Sequence, residues 1–243
     1  MRVEPYGVGS VLHIIKRGAR GMEIVRDQSD RWRFVRNLYI LNDHHQPRER
    51  HFIHKSDLWK GVGGGSKVFE RPKEWPRYKP LVAILAWVLM PNHFHLLLQE
   101  IEEGGISKFM QRFCGSMTLA FNEKYKEKGS LFQGAYKSRT VDTDEYLQYV
   151  HAYVVVKNTF ENYPGGLKKA IKEFDKAWIW AGKEYPFSSF LTSAKGAPSP
   201  IINARAFQDL GLARPDFKRL AKGALAIHID THGDLHALHL EDW

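Results

Sequence analysis

The chain has one cysteine in 243 residues, Cys114. A lone thiol excludes an internal disulfide framework and a cysteine-built zinc cluster within one chain. Cys114 lies among Met110, Phe113 and Met117 at helical spacing, which reads as core packing. A reducing, cytoplasmic setting fits this usage. Long apolar runs are also scarce. The longest, Leu81 to Met90, is far too short to span a bilayer, so no membrane partner is expected. The opening "MRVEPYGVGS" lacks the apolar stretch of a signal peptide. Acidic residues are in deficit: 27 Asp and Glu against 36 Lys and Arg give a net charge of +9. That balance favours a polyanionic partner, through phosphate neutralisation and counterion release. Apolar residues make up 43%, enough for a real core, which excludes global disorder.

The pattern along the chain alternates between strand and helix periods. "VGSVLHIIKRG" (8–18) reads as a strand ending in a basic turn, and 27–43 as a helix with Trp32, Val35, Leu38 and Tyr39 on one face. Residues 44–80 carry His44, His45, His51 and His54, "GVGGGS" and four prolines with little periodicity, and read as a long loop. "LVAILAWVL" (81–89), the turn "MPN" and "HFHLLLQ" (93–99) form a hairpin. Residues 104–128 give an amphipathic helix, 130–141 another strand, and 142–158 a helix capped by Asp142 or Thr143. The order is β-α-β-β-α-β followed by a further helix. That is an α+β, ferredoxin-like plan, an antiparallel sheet with helices on one face. We divide the chain into a core at 1–160, containing the loop 44–80, and a helical C-terminal extension at 161–243. The extension includes a helix over 165–185 and one or two short helices over 203–229. It ends in an acidic tail where His228, His232, His236 and His239 recur at helical spacing.

The stretch "MPNHFHLLLQ" (90–99) carries the chemistry. Residues i and i+2 of a strand share a face, so His93 and His95 project together while Phe94 points away. Two adjacent imidazoles can chelate a divalent ion; they can equally cap the hairpin or hydrogen-bond within the sheet. A basic segment follows, with Lys108, Arg112, Lys137 and Arg139, and then a helix with three tyrosines, Tyr146, Tyr149 and Tyr153. A tyrosine beside a metal-bound phosphate is a plausible nucleophile, attacking phosphorus to leave a covalent ester. Arg17 and Arg20, near the first strand, can grip DNA phosphates or form a solvated basic face.

"MPNHFHLLL", "SLFQGAYKSRTVDTDEYLQYVHAYV" and the later "YPFSSF" resemble the single-tyrosine HUH transposases, in particular their REP-associated branch, over roughly residues 8–190. The resemblance implies a ferredoxin-like fold and a Mg²⁺ or Mn²⁺ ion held by His93 and His95. It implies single-stranded or hairpin DNA as partner, a nucleoid-associated setting, and a monomer or homodimer. It also implies a catalytic tyrosine that cuts single-stranded DNA, stays linked to the 5′-phosphate, leaves a 3′-OH and rejoins by the reverse step. Tyr153 matches the nucleophile, since it follows Tyr146 of "YL" by seven positions as the family's tyrosine does; Tyr149 and then Tyr146 are the next candidates. The family places Asn or Gln four residues after the tyrosine to complete the metal shell. Here that position is Lys157, whose ammonium has no lone pair for a metal, and Asn158 comes next. Either Asn158 reaches in through a distorted helix end, or water completes the shell, or activity falls, with Lys157 contacting phosphate instead. On a regular helix Asn158 points away from the tyrosine. Two other readings stand beside the nuclease: a domesticated protein that binds hairpin or single-stranded DNA without cutting, and a metal-dependent hydrolase of small molecules. The last is disfavoured, because no repeated βα units accompany the HxH pair.

Overall fold

The computed structural model describes residues 6–45, 69–71 and 73–230, without the side chains of 227–230. Most of the loop 44–80, including His51 and His54, and the tail histidines beyond His228 lie outside the described residues. Four strands form one sheet: β1 (Val11–Arg17), β2 (Val82–Leu89), β3 (His93–Glu100) and β4 (Lys137–Val141). Their order is β2-β3-β1-β4, and every neighbouring pair is antiparallel. With α1 (Gln28–Ile40) between β1 and β2, and α2 (Gly105–Tyr125) between β3 and β4, this is the β-α-β-β-α-β plan that the periodicity predicts.

The sheet's period of two sorts its side chains. Phe94 is fully buried and meets Phe34 of α1 at 5.3 Å and Phe113 of α2 at 5.4 Å between ring centroids. Both helices therefore cover the Phe94 face, and His93 and His95 emerge on the other. That second face is not left to solvent. A helix, α3 (Asp144–Ala152), starts at the Thr143 cap, whose side chain accepts from the Tyr146 N–H, and delivers Tyr153–Lys157, which pack on that face against β2 and β3. The sheet is thus covered on both faces rather than one.

Several boundaries differ from the sequence expectation. Only residues 137–141 of the expected 130–141 strand pair in the sheet. The preceding residues make one isolated bridge, Gly18 to Phe132, because the "QG" pair turns the chain. The expected helix over 165–185 is two, α4 (Gly166–Lys172) and α5 (Phe174–Lys183), separated where Glu173 leaves helical geometry. Residues 188 and 189 of "YPFSSF" dock on the sheet edge: Ser188 bridges Val88, and the Ser189 hydroxyl accepts from the Trp87 N–H at 3.0 Å. They lead into α6 (Phe190–Lys195), α7 (Ala204–Asp209) and α8 (Phe217–Asp230), whose apolar residues join the same continuous core. Among the described residues no helix is long and apolar enough to cross a membrane. Burial pushes the Cys114 thiol up to about 12, in keeping with a packing role.

His151 ties the tyrosine helix to this extension. It is fully buried, its Nε2 is 2.8 Å from the Ser193 hydroxyl, and its ring lies between Phe207 and Phe217. Burial lowers its pKa from 6.5 to about 3, so the folded protein keeps it neutral where the unfolded chain protonates it. The unfolded state then binds more protons, and stability is lost as pH falls from about 6.5 toward about 3. Urea melts across this range are expected to show His151→Gln with a shallower acid slope than wild type, by up to about 1.4 kcal/mol per pH unit. Equal slopes would show that His151 does not carry this acid sensitivity.

Candidate nuclease site

The two histidines are placed by the turn before them. Met90 donates to the His93 carbonyl at 2.8 Å, closing "MPN". The loop after β1 then clamps the turn: Gly18 donates to the Asn92 carbonyl at 2.7 Å and Ile24 to the Pro91 carbonyl at 2.8 Å. Gly18 has no substitute here, since a Cβ would fall 2.1 Å from the Met22 carbonyl oxygen. From this turn His93 and His95 enter β3 with their rings 5.1 Å apart; His93 is half-buried and His95 fully buried.

Each ring is fixed through Nδ1. The Nδ1 of His93 lies 2.7 Å from Oδ1 of Asn92, an atom that can only accept, so His93 carries its proton on Nδ1. The Asn92 amide nitrogen donates to the Gly21 carbonyl at 3.4 Å, consistent with that orientation. The Nδ1 of His95 lies 2.9 Å from Nε2 of a third histidine, His13 of β1, and the two rings stack. His13 carries no signal in the sequence, because the register that brings it to His95 is a property of strand pairing.

Tyr153 meets this cluster from above. Its ring is edge-on to both His13 and His95, 6.0 Å from each, and it is only 5% exposed. Tyr149 packs beside it at 6.3 Å. The chain does not continue as an α-helix. Residues Tyr153–Lys157 form a π turn, coinciding with three successive valines that crowd an α-helix at χ1. The Asn158 N–H bonds to the Tyr153 carbonyl, five residues back. The helix end is therefore distorted, and Asn158 stands one turn beyond the tyrosine although it is five positions away. α-Helical bonding resumes over Asn158–Glu161. Asn162 next donates to the Asn158 carbonyl and to the Met90 sulfur, both at 3.0 Å, so this helix end sits beside the turn that leads to His93.

Lys157 keeps the neighbourhood the sequence assigns it. Its buried ammonium donates to the Tyr153 hydroxyl at 3.1 Å and pairs with Glu161 at 2.7 Å. Glu161 is a member of the cluster with no signature in the sequence beyond its i, i+4 spacing from Lys157. Asn158 is fully buried, and among the described residues neither its amide nitrogen nor its oxygen has a hydrogen-bond partner. A buried carboxamide left in that state asks for a ligand that the polypeptide does not supply. No three His, Cys, Asp or Glu side chains converge at metal-binding spacing among the described residues. An ion at His93 and His95 would take an amide oxygen or water as its next donor.

The cations divide between the two faces. Arg17 pairs in register with His93, Arg139 with His13 and Lys137 with Ile15, so all three share the histidine face. Arg139 lies over the Tyr146 ring at 5.7 Å, and Arg20 is exposed in the turn after β1. Lys108 and Arg112 sit on α2, behind the sheet; Arg112 is committed to the Asp43 carbonyl at 2.7 Å. His44 pairs with Glu102 at 2.6 Å. α8 closes the outer side: Ala224 and Leu225 line a small cavity with Tyr149, Tyr153 and Lys157.

Residues 78–157 match the family model described as "Transposase IS200 like". The resemblance read from the sequence holds over that stretch, about a third of the chain, which contains His93, His95, Tyr153 and Lys157. No curated protein matches the chain. A solved structure of a REP-associated tyrosine transposase bound to a REP hairpin is similar at a TM-score of 0.41 with 11% identity, over 82% of this chain and 89% of that one. So distant a likeness carries no weight beside the topology and the matched segment.

The state of Asn158 makes a prediction about the protein without metal. A buried amide lacking partners costs about 1–3 kcal/mol. Asn158→Leu is expected to raise metal-free stability in urea by that order. Destabilisation beyond about 1 kcal/mol would show that the amide is satisfied in the folded protein.

Proposed function

We propose that the protein cuts and rejoins single-stranded DNA through a 5′-phosphotyrosine on Tyr153, with Mg²⁺ or Mn²⁺ held by His93, His95 and Asn158. The observation that carries this reading is Tyr153 set edge-on against His95, 6.0 Å away, with the Lys157 ammonium on its hydroxyl. The donor set suits a hard divalent ion: two imidazoles whose Nδ1 atoms are already engaged, and a carboxamide oxygen. When bound, the ion polarises the non-bridging oxygens of the scissile phosphate.

The chain's own residues do the rest. Arg17, Arg139, Lys137 and Arg20 draw the backbone of a DNA strand to the histidine face. The Tyr153 oxygen attacks phosphorus; the O–P bond forms as the bond to the 3′-oxygen breaks, and the phenolic proton ends on the released 3′-OH. Lys157 stabilises negative charge on the attacking oxygen, and Glu161 holds Lys157 in place. The reverse attack by a 3′-OH rejoins the strand, so no nucleotide cofactor is required. Tyr149 is the weaker candidate: its buried hydroxyl has no hydrogen-bond partner among the described residues, and burial raises its pKa. Lys108 and Arg112, on the far face, fall outside this role.

Binding without cleavage is the second reading, favoured by the small exposure of Tyr153 beneath α8. Incubation with labelled hairpin-flanked single strands and Mn²⁺, followed by denaturing electrophoresis, separates the two. The wild type is expected to form a covalent adduct on single strands and none on perfect duplex. Tyr153→Phe is expected to bind DNA equally and form no adduct. An adduct that survives in Tyr153→Phe refutes the assignment, and wild-type binding with no adduct establishes the binding-only reading.

A further inference from the structure

His13 belongs to none of the roles assigned so far, yet it is buried at the centre of the site, bonded to one proposed metal ligand and edge-on to the proposed nucleophile. We propose that His13 is the positioning residue of the ion site: its Nε2 accepts the Nδ1–H of His95 and so holds His95 in the tautomer whose Nε2 can take the ion. This rests on the metal reading of His93 and His95 given above.

A bond between two neutral imidazole nitrogens needs one N–H and one lone pair. At 2.9 Å, either His95 Nδ1 donates to His13 or His13 Nε2 donates to His95. In the first arrangement the His95 Nε2 carries a lone pair and can ligate. In the second it carries the proton and cannot, while its Nδ1 lone pair is spent on His13. Ion binding through His95 therefore requires the first arrangement, with the His13 proton on Nδ1.

His93 differs from His95 in its partner. Its Nδ1 partner is the Asn92 carboxamide oxygen, which has only one way to bond, so that ligand is fixed in the correct tautomer. The partner of His95 can bond in either sense. The stacked geometry, with rings 20° from coplanar, holds the orientation of His95 in both. His13 thus does for His95 what a carboxylate or backbone carbonyl does for many metal-binding histidines: it orients the ring and raises its basicity as a ligand. β1 delivers it, since His13 lies two residues before Ile15, the register partner of His95. It lies outside the matched stretch 78–157, so that match gives it no role.

The test uses the full chain with two readouts. Mn²⁺ affinity is measured from the free-ion electron paramagnetic resonance signal for wild type, His13→Phe, His13→Gln and His95→Ala. Histidine tautomers are read by ¹H–¹⁵N correlation in the Mg²⁺-loaded protein. His13→Phe keeps the ring volume but accepts no hydrogen bond, and is expected to bind Mn²⁺ about 10–100-fold more weakly. His13→Gln can present its carboxamide oxygen where Nε2 stood, and is expected to restore most of the affinity. His95 in the loaded wild type is expected to carry its proton on Nδ1. Unchanged affinity in His13→Phe alongside loss in His95→Ala overturns the role of His13 and leaves the metal site standing. A His95 proton on Nε2 in the loaded protein overturns it equally, and needs no variant to fold. Wild-type affinity in His95→Ala overturns the metal reading itself, and this proposal with it.

Discussion

The alternation of β3 is the constraint on which the rest depends. Phe94 locks one face of the strand into an aromatic cluster with Phe34 and Phe113, and that fixes the opposite face for His93 and His95. A one-residue slip in register would bury the imidazoles among these rings and expel the phenylalanine, so the core itself guards the site. Pairing of β1 with β3 then brings His13 and Arg17 to the same face, and pairing of β1 with β4 adds Arg139 and Lys137. A polar, basic surface is thereby assembled on one side of the sheet, while the other side packs the aromatic core around the buried Lys16 and Glu100; the π turn after α3 lays the tyrosine over the polar side.

Much of this was legible in the sequence because it depends on local period. The HxH spacing, the amphipathic α2, the cap at Thr143 and the β-α-β-β-α-β order all follow from residues near one another in the chain. What was not legible depends on pairing over long range or on deviation from ideal geometry. His13 and His95 are 82 positions apart, and only strand register joins them. The π turn at Tyr153–Lys157 reverses the expectation that Asn158 points away from the tyrosine, since that expectation assumes a regular helix. The valines 154–156 hinted at the departure, but β-branched residues also occur in ordinary helices. The tight turn at "QG", which shortens β4, was likewise hidden inside an otherwise strand-like run.

The π turn also bears on the chemical difficulty at Lys157. One inserted position gives this helix two residues near the tyrosine in place of one. Lys157 takes the phenolic oxygen and Glu161, while Asn158 is left with a buried amide that has no hydrogen-bond partner among the described residues. In the proposed site a cation and an amide would divide work that a single amide otherwise does, positive charge at the nucleophile on one side and a neutral oxygen donor on the other. Such bulges persist where the surrounding structure offsets their poorer hydrogen bonding, and they recur at functional sites.

The central claim is that His93, His95 and Asn158 form one divalent-ion site beside Tyr153. It is tested most directly by crystals soaked in Mn²⁺ and measured for anomalous scattering. The account predicts a single strong peak bounded by the Nε2 atoms of His93 and His95 and by the Asn158 carboxamide. A peak elsewhere, or none at these three residues with Mn²⁺ in excess, would contradict it.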